Sequence, residues 1–465
     1  MAQQDRTYLF EKAPIGKALA SFAVPTIISQ LVSMIYNLAD MYWIGKTNNP
    51  YMVVATTLSY VLFMVVNALA QLFGIGGGAL TSRLLGEYKE DDARTIGSFS
   101  FYSALIVGVI YSLGVFIFLD PLLKFLGASV DTYEYSRQYA IWVVVVGCVP
   151  TILGIALSHL LRAEGYTKEA GIGLSMGGIL NIILDPIFMF YVMEPGYEVK
   201  GAAVATMISN CCAFIYYMSV YFKHRKDLLM TLKPAVFLKG AKFWKGVLSV
   251  GFPSFIAPFL ASITVSTANR LCSAHSDVIV ASFGIAKKID MLPMNVSLGL
   301  VQGMVPLVAY NYSNKNYDRM RGFVNTTRTA GICFAILCII VFESIPGSIV
   351  GIFIKESETL AAATLSLRLM CISTPFMISI FHICYTYQAM GQGLKSLLVT
   401  CCRQGLVNIP LLIIMNKIWG VTGIYLSQMV CDIIIASIAY PRYFKFQRKL
   451  DAELELEQKG KGTND

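Results

Sequence analysis

Asn181-Ile-Ile-Leu-Asp185-Pro186-Ile-Phe-Met-Phe190 lies inside an apolar run from Ile172 to Met193. At about 1.5 Å of rise per residue, a helix of that length matches a hydrocarbon layer roughly 30 Å thick. Asn181 and Asp185 stand four residues apart and so share a helix face. Pro186 withholds the N–H that would have bonded the carbonyl of Ile182, which bends the helix and frees that oxygen. A carboxylate, an amide and a freed carbonyl thus form an oxygen-rich patch in apolar surroundings. A charged side chain at the bilayer centre costs about 2.5–3.5 kcal/mol on the mildest scale, so such residues face cavities and carry function by default. That reading of Asp185 outweighs the bland one, a packing carboxyl kept protonated or paired.

Working outward, the same composition fills the chain. Of 465 residues, 56% are hydrophobic and only 14% charged, against about 25% charged in an average soluble domain. The chain reads as a polytopic membrane protein. Apolar spans fall near 18–44, 51–82, 96–120, 137–161, 168–193 and 201–222. A polar, basic stretch over 223–245 follows, and then spans near 246–272, 278–311, 325–348, 364–390, 396–415 and 420–440. The expected fold is all-α, with twelve transmembrane helices in two six-helix lobes. Residues 1–222 form the first lobe, 223–245 a cytoplasmic linker, 246–440 the second lobe and 441–465 a cytoplasmic tail. The tail from Arg442 is expected to form a short helix followed by disorder. The N-terminus carries no cleavable signal pattern; a polar stretch with an amphipathic turn leads straight into a full-length apolar helix.

The net charge of +9 invites a nucleic-acid reading until the charges are placed. With the N-terminus in the cytoplasm, 25 Lys and Arg fall on that side, 7 on the other and five inside or at the edges of spans. This bias puts both termini in the cytoplasm of a multi-pass protein of the cell (inner or plasma) membrane. The expected partner is the bilayer, with no nucleic acid, and the chain is expected to act as a monomer. The 11 cysteines lie mostly within apolar segments and read as small buried hydrophobes. Neither they nor the four histidines show metal-ligand spacing. No nucleophile–base pair appears at a membrane surface, so the chain is not expected to be an enzyme or to hold a cofactor.

The two halves are related. Gly77 matches Gly303, Lys89 matches Lys315, and Asp92 matches Asp318, each at an offset of 226 residues. Leu161-Arg-Ala163-Glu-Gly165 matches Tyr387-Gln-Ala389-Met-Gly391 at the same offset. Pro25, Pro150, Pro186, Pro253 and Pro375 are the candidate helix bends. Because six spans separate the copies, they keep one orientation and are related by a pseudo-two-fold axis along the membrane normal. Such repeats carry alternating-access transport, with substrate held near the midplane.

Intramembrane polar groups are unequal between the halves. The first holds Asp40 and Asp185 with Asn181 and Thr206. At the repeat-equivalent positions the second has Ala268 for Asp40 and Leu412 for Asp185. Carboxylate, amide and hydroxyl oxygens with bent-helix carbonyls suit Na⁺ and a proton equally well. In the second half Lys287, Lys288 and Asp290 lie well inside the eighth span. Lys287 and Asp290 are spaced to pair, and a self-neutralising pair plus one snorkelling lysine stands even with a cavity role. Arg403 and Asp432 are further intramembrane charges. Tyr36, Asn37, Lys288, Asp290, Met291 and Met294 are the candidate substrate-cavity residues, with Met304, Phe376 and Met377 also near helix breaks. Methionine repacks around varied ligands.

These motifs resemble the bacterial branch of the multidrug and toxic compound extrusion (MATE) family. The resemblance rests on Pro25 with Asp40, Gly86-Glu87-Tyr-Lys-Glu-Asp-Asp-Ala-Arg94, Leu161 to Gly165, Asn181 to Pro186, and Gly201-Ala-Ala-Val-Ala-Thr206. In the second half it rests on Gln302-Gly-Met-Val-Pro306, Tyr310-Asn311-Tyr312 and Gln388-Ala-Met-Gly-Gln392. It covers nearly the whole chain. It implies rocker-switch antiport, with cationic amphipathic drugs or toxic metabolites exported against entering H⁺ or Na⁺. It also implies that Asp40, Asn181, Asp185 and Thr206 form the cation site. The alternative is a lipid-linked oligosaccharide flippase or dedicated metabolite exporter of the same superfamily. Ser158 stands where many relatives carry Asn, and the seventh span has no acid, which puts Na⁺ preference in question.

Overall fold

The computed structural model describes residues 7–461. The first six residues, and the last four that the sequence reading assigns to a disordered tail end, lie outside the described residues. Twelve spans are present among those described. They are α1 (Ile15–Gly45), α2 (Pro50–Gly86), α3 (Glu90–Ile117), α4 (Val130–Val146 with Cys148–Ala163), α5 (Thr167–Val192) and α6 (Glu198–His224). The second half has α7 (Trp244–Ser273), α8 (Asp277–Ser313), α9 (Tyr317–Ser344) and α10 (Ser357–Cys371 with Thr374–Ala389). The long stretch Gly393–Arg448 is interrupted at Gly420, whose φ of 58° and ψ of −136° end one helix and begin the next. It therefore supplies α11 (393–419) and α12 (421–448). The helix runs on past Arg442 to Lys461, further than the short helix expected from the sequence and into the Lys-Gly-Lys segment read there as disordered.

Two helices are sharply broken, α4 by 49° and α10 by 45°. Their first segments end at Val146 and Cys371, each four residues before Pro150 and Pro375. A proline ring clashes with the carbonyl of residue i−4 and leaves it without its N–H, so each break falls where the proline dictates. Ile141–Val146 relaxes into a π-turn before the break. Pro25, Pro186 and Pro253 sit inside helices that continue through them, and Pro186 is followed by a π-turn over Phe188–Val192. The repeat is also visible in the backbone. Gly165 and Gly391, the matched glycines, take φ of 93° and 75°, a left-handed conformation that glycine alone adopts freely.

The chain forms two compact units. The first takes in the chain through Pro258, with Asn295–Thr327 and Thr386–Leu394; the second holds Phe259–Met294, Arg328–Tyr385 and the chain from Lys395. In the first unit, small residues let helices touch backbone to backbone, as membrane helices require. Gly171 of α5 lies against Pro25 of α1, and Gly178 against Val32 and Tyr36. A β-carbon on Gly251 would lie 1.9 Å from the carbonyl oxygen of Leu72. Gly251→Val therefore forces α7 away from α2. The expected cost is about 1–3 kcal/mol, read as a lowered midpoint of thermal unfolding in detergent.

The linker after α6 is anchored rather than free. The buried carboxylate of Glu164 accepts from the backbone N–H of Leu229 at 2.7 Å and of Met230 at 2.6 Å, and Pro234–Gly240 forms a short helix. The N-terminal turn Tyr8–Lys12 is fixed too. Glu11 accepts from Tyr310 at 2.5 Å and Tyr88 at 3.1 Å. The Arg319 guanidinium donates to the carbonyls of Phe10, Leu9 and Ala13. The second unit is held by a core that includes Phe283, Leu367, Met370, Leu412 and Tyr425.

Candidate functional site

The first unit concentrates its buried oxygens between α1, α5 and α6. On α5, the Asn181 amide nitrogen donates to Asp185 Oδ1 at 2.9 Å, the i to i+4 contact expected from the sequence. The same nitrogen reaches Thr206 Oγ1 on α6 at 3.1 Å. All three residues are buried, Asp185 completely. Asp40 is half-buried on α1, and it and Asp185 lie within electrostatic reach of each other. Asp40 Oδ1, Asn181 Oδ1, Asp185 Oδ2 and Ser209 Oγ have no hydrogen-bond partner among the described residues. A buried oxygen left unpaired is expensive. Carboxylate and amide oxygens of this kind fit a small hard cation or a proton.

Asn181, Thr206 and Ser209 also line a cavity of about 100 Å³, together with Tyr36, Asn67 and Asn210 among others. Tyr36 is among the residues of this cavity wall. Asn37 donates to the carbonyl of Ser33 at 2.7 Å on its own helix. Sequence reasoning missed Tyr60 and the buried Tyr139, both within electrostatic reach of Asp40. It also missed Asn67, Ser209 and Asn210. No local pattern marks them, because their partners lie on other helices. Ser158 donates to the carbonyl of Ile155 at 2.7 Å and is absent from the cavity wall.

The second unit has its own pocket, of about 370 Å³. It brings together the sequence-picked Lys288, Asp290, Met291 and Met294, with Lys287 and Arg403. Lys287 lies 3.8 Å from Asp290. Arg403 holds Asp432 in a two-pronged pair at 2.9 and 3.1 Å, and Gln428 donates to the same carboxylate at 2.9 Å. Met377 also lines the pocket. Met304 is buried in packing, and Phe376 packs against the Ile380–Cys431 core.

Twelve apolar spans, an internal repeat and a buried cluster of unpaired oxygens define a multi-pass membrane transporter with a candidate ion site. The MatE family profile matches twice, over residues 25–187 and 250–414, so each half carries one copy. The chain is 31% identical over 442 residues to the multidrug export protein MepA of Staphylococcus saprophyticus, covering 94% of this chain and 95% of that protein. It is 32% identical over 446 residues to MepA of Staphylococcus aureus, with the same coverage. Its fold matches that of a multidrug resistance MATE transporter solved in an outward-facing conformation, with TM-score 0.89, 22% identity, and 97% and 99% of the two chains covered. A crystal structure of MATE in complex with MaL6 superposes at TM-score 0.90 with 22% identity, over 96% and 99% of the chains. The protein belongs to the bacterial branch of the multidrug and toxic compound extrusion family of efflux transporters, and its fold is the twelve-helix, two-lobe fold of that family.

Proposed function

We propose that this protein exports cationic amphipathic drugs or toxic metabolites in exchange for H⁺ or Na⁺. The observation that carries the reading is the group of unpaired buried oxygens on Asp40, Asn181 and Asp185, joined to Thr206. Those four residues take up the coupling ion. The export function of the MepA relatives supports the cargo class.

The exchange follows from electrostatics. Two carboxylates in a low-dielectric site repel one another and attract a cation. A bound ion neutralises them and removes their attraction for a cationic drug, so ion and drug exclude one another. Reciprocity is required: each weakens the other's binding by the same factor. Alternating access then turns entry of the ion into exit of the drug. In the full scheme residues 1–222 and 246–440 are two lobes that rock about the linker 223–245. Both termini are cytoplasmic, the protein works as a monomer in the cell membrane, and no cofactor or enzymatic step takes part.

The test is dye transport in proteoliposomes under an imposed Na⁺ or pH gradient. Accumulation driven by one gradient names the ion. No movement of ethidium under either gradient contradicts the reading and favours a flippase or a dedicated metabolite exporter.

A further inference from the structure

The cavity that Asn181, Thr206 and Ser209 help to line holds about 100 Å³, well below the roughly 300–1,000 Å³ of small-molecule sites. It is too small for an amphipathic drug. It is also long. Thr206 and Tyr217 both line it, eleven residues apart on the continuous helix α6, which is a rise of about 16 Å. A void of that length and volume has room for a file of waters and a small ion. The polar groups of its wall are hydroxyls and amides from α1, α2, α4, α5 and α6, with no charged side chain among the described residues. Asn181 Oδ1 and Ser209 Oγ, both on buried residues, have no hydrogen-bond partner among the described residues and are available to such an occupant.

The Tyr217 end is shut. The side chain of Tyr217 is fully buried, and its hydroxyl donates to the carbonyl of Ala170 on α5 at 2.7 Å. A β-carbon on Gly173 would lie 2.3 Å from that ring, so the ring lies across α5 only because residue 173 has none. Arg162, near the end of α4, stands within electrostatic reach of Tyr217. It is only 2% exposed, its Nη1 lies 3.3 Å from His159 Nδ1, and its Nε has no partner among the described residues. No carboxylate pairs with it among those residues; Glu164, two positions on, accepts from the backbone of Leu229 and Met230. A fixed positive charge in a low-dielectric setting repels a passing cation, and pores use an arginine in this way to exclude cations. Arg162, Ala170 and Tyr217 lie where α4 ends, α5 begins and α6 nears the linker, the end that the export reading puts in the cytoplasm.

We propose that this cavity is the path by which the coupling ion leaves the Asp40–Asp185 site for the cytoplasm, with the Tyr217 ring as its gate and the Arg162 charge as the barrier to an ion that crosses without cargo. This deepens the export reading and rests on it for the direction of travel. An exchanger needs such a stop, because an ion that slips through alone discharges the gradient and moves nothing in return. The ion then has a path of its own, lined with hydroxyls and amides and too narrow for the cargo.

Ion leak in the absence of drug tests this. Full-length protein in proteoliposomes is given an Na⁺ or pH gradient, and ion entry is read from a trapped Na⁺- or pH-sensitive dye, with a large co-trapped dye to report general damage. The wild type is expected to admit the ion slowly. Tyr217→Ala is expected to speed entry by about 10-fold or more, each tenfold being about 1.4 kcal/mol of barrier, while the large dye is retained. Tyr217→Phe puts the ring back and is expected to restore tightness. Arg162→Met keeps the bulk of the side chain without its charge; it is expected to leak as well, and it carries the test if Tyr217→Ala does not fold. Adding Asp185→Asn to a leaky variant is expected to stop the leak, because the path starts at that carboxylate. A purely structural role lowers the yield of both variants without opening an Asp185-dependent leak, and that outcome overturns the proposal. Ion entry that survives Asp185→Asn, or Tyr217→Phe leaking as Tyr217→Ala does, overturns it as well. Because no drug is used, a leak of the expected pattern beside a wild type that moves no ethidium would count against the export reading alone.

Discussion

Asp185→Asn is expected to abolish gradient-driven export while the protein still folds and inserts. The substitution keeps the size of the side chain and its ability to accept from Asn181, which now lies at 2.9 Å. It removes the charge that draws a cation to the unpaired oxygens of Asp40 and Asn181. Coupling between two ligands is typically worth about 1–3 kcal/mol, or about 5- to 150-fold in affinity, and this is the range expected to vanish. Resistance of a pump-deficient host to ethidium should fall to that of the empty vector, with membrane levels of protein unchanged. Asp40→Asn is expected to act in the same direction. Thr206→Ala is expected to do less, since its hydroxyl contributes one neutral contact at 3.1 Å to the Asn181 amide.

The largest expected effect on stability lies in the second unit. Asp432 is fully buried and Arg403 only 6% exposed, and their two-pronged pair is reinforced by Gln428. Asp432→Ala leaves the guanidinium buried with no carboxylate. Breaking a buried pair from one side costs about 3–5 kcal/mol, which should appear as a strongly lowered unfolding temperature in detergent and poor recovery from membranes. The double variant Arg403→Met/Asp432→Leu removes both charges and keeps much of the volume, and replacements of this kind are often neutral or stabilising. Recovery in the double variant is therefore expected. If it is as unstable as Asp432→Ala, the pair matters through packing or through Gln428 rather than through charge.

What could be read from the sequence was local or periodic. Apolar length gave the spans, and the profile match over residues 25–187 and 250–414 agrees with the repeat read at an offset of 226 residues. Asn181 and Asp185 could be joined because helical spacing alone puts them on one face. Pro150 and Pro375 located the two sharp breaks because the clash with residue i−4 is local. Lys287 and Asp290 could be paired by the same i to i+3 logic that governs helix surfaces. The boundary between α11 and α12 was less sharp in the sequence than in the structure, where Gly420 leaves helical geometry within a stretch of 56 residues.

What could not be read depends on which helices meet. Arg403 and Asp432 are 29 residues apart on different helices, and nothing in their spacing announces a bidentate pair. Tyr60 and Tyr139 reach the Asp40 region only through packing. Thr206 could be grouped with the intramembrane oxygens, but its contact with Asn181 is a tertiary fact. The anchoring of the linker by Glu164 falls in the same class. Its motif was visible in Leu161 to Gly165, but its partners at Leu229 and Met230 lie 65 and 66 residues on.

The most direct test of the central claim is the affinity of purified protein for a cationic dye, measured without any gradient while Na⁺ and pH are varied separately. One of the two ions is expected to weaken dye binding by about 5- to 150-fold as it saturates its site, and Asp185→Asn is expected to make that dependence flat. An Asp185→Asn protein whose dye affinity responds to the ion as the wild type's does would show that the coupling site lies elsewhere.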